Sequence, residues 1–182
     1  PSGVDTVVPA KASRTHVLQL LHTMRHRPAN TGPGQTRLRD LLQSVAGQLR
    51  RRSMVLVVSD FYSDSGWQIP LGQLAQRHEV IAVRLLDPLE QALPDLGLLP
   101  VRDAETGEVL LVDTHNAAFR RRFAEAADAR ETSLRTGLAR AGVDTLELST
   151  SDPMLDALVR FMDMRRRRVR TGTATRGSTT LH

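Results

Sequence analysis

The 182 residues are 40% hydrophobic and 25% charged, a balance that suits one soluble domain with a sizeable core. Cysteine is absent, which excludes disulfides and thiolate chemistry, and no apolar run is long enough to cross a bilayer. The net charge of +5 is local: residues 165–182 hold six of the 25 basic residues and no acid, so 19 basic residues face 20 acidic ones elsewhere and the body carries −1.

No signal-peptide pattern opens the chain, and the expected localisation is cytoplasmic, with any membrane association arising through segments outside this chain. A start at Pro1 rather than Met reads as a fragment or a processed product. With one Trp, one Tyr and four Phe there is no stacking platform for bases, so no specific nucleic-acid partner is expected.

In chain order, Val4 to Val8 reads as a short strand ended by Pro9. Ser13 can cap a helix with Val17, Leu18, Leu21 and Met24 on one face, stopping before Pro28. Residues 28–35, PANTGPGQ, have loop composition. Thr36 opens a second amphipathic helix carrying Leu38, Leu41, Leu42, Val45 and Leu49. Three arginines, Arg50 to Arg52, lead into Met54–Val58, an unbroken and β-branched-rich run that reads as a strand buried on both faces of a parallel sheet. Ser59 and Asp60 fall at its carboxyl end, the crevice where open α/β sheets bind ligands and metals.

Pro70 suits the first position of a helix through Leu71, Leu74 and Ala75. Val80 to Leu86 is a second apolar strand, so strand, helix and strand follow one another as a parallel crossover. Short apolar runs at 98–101 and 109–112 flank DAETGE, where Gly107 suits a hairpin turn. A long helix spans about Asn116 to Ala141, with a stripe of Phe119, Phe123, Ala126, Ala127, Leu134 and Leu138 and Gly142 as its stop. Thr145 to Leu148 alternates as a strand near a sheet edge does. Asp152 and Pro153 begin a last helix whose apolar face is Met154, Leu155, Leu158, Val159 and Met162. Residues 1–164 therefore form the domain, and 165–182 read as a basic disordered tail.

Most chemical motifs fail on inspection. GPG at 32–34 lacks both the following Lys-Ser/Thr and the preceding strand of a phosphate loop, and no G-x-S-x-G turn occurs. His22 and His26 have zinc-protease spacing, but Thr23 stands where the catalytic Glu would be. Thr36 and Asp60 remain: a hydroxyl and a carboxylate that could share a crevice and suit Mg²⁺, or that merely cap a helix and a turn.

The stretches LRRRSMVLVVSDF (49–61), RHEVIAVRLLDPLEQALPDLGLLPVRDAETGEVLLVDT (77–114) and AGVDTLELSTSDP (141–153) resemble the later part of a von Willebrand factor A-like domain. More closely, they resemble the bacterial family catalogued as domain of unknown function 58, often encoded beside MoxR-type AAA+ ATPases. The likeness covers about residues 4–165. It implies an α/β fold: a doubly wound, mostly parallel sheet, lacking its first strands here and carrying a small hairpin insertion. It also implies a metal-ion-dependent adhesion site, in which Thr36 matches the second element and Asp60 the third, with Ser59 a possible accessory. The Asp-x-Ser-x-Ser element of such sites is absent from this chain. Mg²⁺ is therefore a possible cofactor of a full-length protein, and none is expected to bind tightly here.

The implied role is a non-enzymatic protein-interaction module, an adaptor or assembly factor working with a MoxR-type ATPase. Two alternatives come from other classes. One is a small α/β hydrolase or phosphotransferase using Asp60, and the other is nucleic-acid binding through the basic tail.

Overall fold

The structure is a computed structural model. It describes residues 7–9, 11–26, 37–63, 65–102 and 108–176, without the side chains of 102 and 169–176. In order, the elements are α1 (Arg14–Arg25), α2 (Leu38–Gln48), β1 (Met54–Ser59), α3 (Gln68–Arg77), β2 (Glu79–Leu86), a 3-10 turn (Pro88–Glu90), β3 (Leu98–Arg102), β4 (Val109–Asp113), α4 (Ala117–Ala141), β5 (Asp144–Ser149) and α5 (Met154–Arg176). The fold is mixed α/β, with a parallel three-stranded sheet in the order β1-β2-β5 and a separate antiparallel pair, β3-β4.

The parallel register sorts side chains onto two faces. Val55, Val57, Val80 and Ala82 share one face. There they pack against Leu38 and Leu42 of α2, Leu71 and Leu74 of α3, and Leu134, Leu138 and Ala141 of α4. On the other face Ile81, Val83 and Leu146 meet Ala157 and Phe161 of α5. Sheet edges and helix ends then follow local chemistry. Ser13 Oγ accepts from His16 N at 3.2 Å to cap α1, and Asn116 caps α4 by accepting from Ala118 N and Phe119 N. Gly142, at φ 67°, ends α4 in the left-handed region that favours glycine.

Several expectations need correction. β1 is not buried on both faces: Val57 is 8% exposed, but Met54, Leu56 and Val58 are 58–60% exposed because α5 covers only β2 and β5 on their side. Both predicted helix faces are largely open. Val17, Leu18, Leu21 and Met24 of α1 are exposed, and α1 makes at most glancing contact with other described elements. α5 docks through Ala157, Phe161 and Met164, while Met154, Leu155, Val159 and Met162 face outward.

The tail expected from residue 165 is helical to Arg176. Arginine is a good helix former, and two of these side chains find acids on the sheet: Arg165 pairs with Glu79 and Asp144, and Arg168 with Asp144. Pro70 sits two positions inside α3 rather than at its start. The hairpin at 98–102 and 109–113 forms as expected; its Gly107 turn, and residues 4–6 of the strand expected at 4–8, lie outside the described residues. Val7 and Val8 are exposed and outside regular structure.

The carboxyl edge of the sheet as a candidate functional site

Three parallel strands end on the same edge, so their last residues and following turns gather there. β1 delivers Ser59 and Asp60, β2 delivers Asp87, and β5 delivers Ser149 with Ser151 and Asp152 just beyond. The turn after β1 is shaped by its own side chains. Ser59 Oγ accepts from Phe61 N at 3.0 Å, and Asp60 Oδ1 accepts from Tyr62 N at 3.0 Å. Phe61 takes φ 61°, an unfavourable value for a side chain with a Cβ, and its ring is only 3% exposed against Trp67, 5.3 Å between centroids. Burial of that ring holds the strained residue in place, and the reversal leaves Asp60 exposed at the edge.

The start of α2 reaches the same turn. Ser63 Oγ accepts from Leu38 N at 3.1 Å, which ties the two segments across 25 residues. Arg37 occupies the N-cap position and makes no side-chain capping bond, and the Ser63 hydroxyl serves the start of this helix. Thr36 itself lies outside the described residues.

Charge at this edge is predominantly negative. Partial desolvation, then the charges of Asp60 and Asp87, hold Glu90 above its ordinary value, against the opposing pull of Arg130 and Arg84. Arg130 also lies over the Tyr62 ring at 5.9 Å. Among the described residues no group of three His, Cys, Asp or Glu side chains is placed to hold a metal ion. Of the residues expected to act as Mg²⁺ ligands, Asp60 and Ser59 are described and Thr36 is not.

Reading the residues alone missed two features of this region. Ser149 and Ser151 stand with their hydroxyls 2.8 Å apart at the end of β5, a Ser-x-Ser spacing that was visible in LSTSD. Arg84, in the middle of the apolar run VIAVRLL, is 1% exposed and is gripped by both carboxylate oxygens of Glu131 and by Glu147 at 3.1 Å. Burial pulls the Arg84 guanidinium down, but the hydrogen bonds and charges of Glu131 and Glu147 prevail and raise it. Among the described residues its Nε has no hydrogen-bond partner. A second polar knot lies at the hairpin base, where His115 Nδ1 and Asp95 Oδ1 are 2.5 Å apart, and Thr114 Oγ1 donates to Gly97 O at 2.7 Å.

The model of the family described as "Protein of unknown function DUF58" matches residues 2–133. The chain belongs to this family. It is 36% identical over 162 residues to Uncharacterized protein MAV169 of Mycobacterium avium, covering 89% of this chain and 95% of that protein. It is 35% identical over 162 residues to Uncharacterized protein Rv1480 of Mycobacterium tuberculosis and to Uncharacterized protein Mb1516 of Mycobacterium bovis, again over 89% of this chain. The match covers 51% of each of those two proteins, so the chain spans about half their length. No solved structure matches the chain. No helix among the described residues is long and apolar enough to cross a membrane.

Proposed function

We propose that this DUF58 chain is the later part of a von Willebrand factor A-like domain and works as a protein-interaction module, not an enzyme. Its role is that of an adaptor or assembly factor for a MoxR-type AAA+ ATPase, which it meets at the carboxyl edge of the sheet. The observation that carries this reading is the exposed Asp60, thrust out by a strained turn and flanked by the tethered start of α2. A carboxylate so placed can accept hydrogen bonds or an ion pair from a partner without any turnover chemistry. In this reading Thr36 and Asp60 are the part of an adhesion site that this chain carries, with Ser59 as an accessory. Lacking the Asp-x-Ser-x-Ser loop, the 182-residue chain makes its contact without a tightly held ion.

Binding of the purified chain to a purified MoxR-type ATPase from the same genome tests the reading. Saturable binding is expected, unaffected by chelator and weakened roughly tenfold or more by Asp60→Lys, which converts an acceptor into a like charge for the partner's cations. Absence of binding, or equal binding by the variant, overturns it. A calorimetric titration of the chain with Mg²⁺ is expected to show no binding in the micromolar range. Micromolar binding that disappears in Asp60→Ala would overturn the ion-free contact.

A further inference from the structure

Helix α5 carries two lines of side chains on opposite sides. Its sheet side is Ala157, Phe161 and Met164, continued by Arg165 and Arg168, which pair with Glu79 and Asp144. Leu155, Val159, Met162 and Arg166 stand at i, i+4, i+7 and i+11. At about 100° per residue they form a second line, turned away from the strands. Leu155, Val159 and Met162 are 70%, 53% and 51% exposed, and Arg166 is exposed as well. An element that extends the sheet, or covers more of it, packs beside α5 and against the strands. The outer line of α5 faces the other way and is no part of that layer.

This line is apolar in its first half and basic in its second. Between 154 and 176 the helix holds seven Arg against two acids, Asp156 and Asp163, so charge complementarity points to an anionic surface. The helix is not apolar enough to cross a bilayer. An apolar stripe on a basic helix of this kind suits the headgroup layer, where apolar side chains enter the acyl boundary and cations meet phosphates. Arg160, exposed on the flank, and Arg166 have stems long enough to reach those phosphates while the apolar line is buried. A nucleic acid would satisfy the arginines but leave Leu155, Val159 and Met162 in water. We propose that α5 docks the domain on an anionic bilayer surface, with Leu155, Val159 and Met162 inserted and Arg160 and Arg166 on lipid phosphates. The pairs of Arg165 and Arg168 with Glu79 and Asp144 set the helix's rotation about its axis and so hold this line outward. This inference goes beyond the adaptor reading and does not depend on it.

Co-sedimentation of the 182-residue chain with vesicles tests this. Binding is expected to phosphatidylcholine vesicles containing about 30% phosphatidylserine, and is expected to be at least roughly tenfold weaker on phosphatidylcholine alone. Arg160→Gln combined with Arg166→Gln removes two charges and should weaken binding roughly tenfold or more. Leu155→Ser combined with Met162→Ser leaves the charge unchanged and should also cost roughly tenfold. All four side chains are exposed, so the fold, followed by circular dichroism, should persist in both variants. The chain has no Cys, so Met162→Cys can carry a single environment-sensitive fluorophore. Its emission should shift to the blue on the anionic vesicles, and that of Gln73→Cys, exposed on α3 across the sheet, should not. Absence of binding at about 1 mM anionic lipid overturns the proposal, as does equal binding to neutral vesicles. Binding indifferent to the serine pair would mean arginines acting alone, and also overturns it. So does duplex DNA that displaces the chain from vesicles and binds the serine variant as tightly as the wild type.

Discussion

The guanidinium of Arg84 is held by glutamates from two different elements, Glu131 on α4 and Glu147 on β5, and Arg135 in turn contacts both acids. Removing one partner of a buried pair is costly because the other charge stays behind in poor solvent. Glu131→Gln is expected to destabilise the fold by about 3 kcal/mol, the lower end for such pairs because Glu147 remains. The pH dependence has a definite sign. The hydrogen bond from Arg84, outweighing burial and aided by the charges of Arg84 and Arg135, holds Glu131 below its ordinary 4.5. Its contribution is therefore complete above 4.5 and is lost as pH falls through the lowered folded value. Urea denaturation of wild type and Glu131→Gln should converge below that range; a constant difference down to pH 2 would contradict this account. Glu90 has the opposite sign: its value is raised, so its cost appears as pH rises past 4.5, and Glu90→Gln should be neutral or stabilising at pH 7. Asp60 was legible as a candidate because a polar residue ending an apolar strand has a known location in parallel sheets. Arg84 was not, since its acids come from 47 and 63 residues downstream and nothing local marks them.

Helix α5 presents a broad apolar surface but uses a narrow one. Ala157, Phe161 and Met164 follow i, i+4, i+7 spacing, and the small Ala157 allows close approach to the strands. Phe161→Ala should cost about 3–5 kcal/mol, and Met162→Ala, on the open side, less than about 1 kcal/mol. Equal losses in chemical denaturation would mean that the helix docks through its other face. Beyond the apolar part, Arg165 and Arg168 fasten the helix to Glu79 and Asp144. The network is partly exposed, so Arg165→Ala is worth roughly 1 kcal/mol or less, and deleting residues 169–182, which leaves both arginines, should barely move the melting temperature. Apolar periodicity in 14–25 and 154–162 announced helices correctly. It could not tell which side a helix would turn to the sheet, because a stripe of Val, Leu and Met reads alike whether it meets a strand or stays exposed.

Across the whole molecule, packing is uneven. β2 has a strand on each side and helices on both faces, so its residues 80–84 are all buried. α2, α3 and α4 share the larger core with it, and α5 closes the opposite face. The parallel β1-α3-β2 unit could be read directly from residues 54–86, since two apolar runs around a short amphipathic helix leave few other arrangements. The place of β5 beside β2 could not, because it depends on a contact made across α4. By contrast α1 shows an exposed apolar face, with His16 its one buried residue among those described, and β3-β4 is a two-stranded ribbon with most of its apolar side chains exposed. Isolated helices of this length and isolated hairpins are marginal in water, so neither should share the cooperativity of the sheet. Amide exchange should therefore be graded. The amides of β2 should open only with global unfolding, those of α3 and α4 close behind, and those of α1 and the hairpin through local opening at little cost. In moderate denaturant the β2 rates should rise with the full denaturant dependence of unfolding, and those of 14–25, 98–102 and 109–113 should scarcely respond. Protection of α1 equal to that of β2, with the same denaturant dependence, would show that α1 is packed in solution on a surface such as Met54, Leu56 and Val58, and that the chain unfolds as one unit.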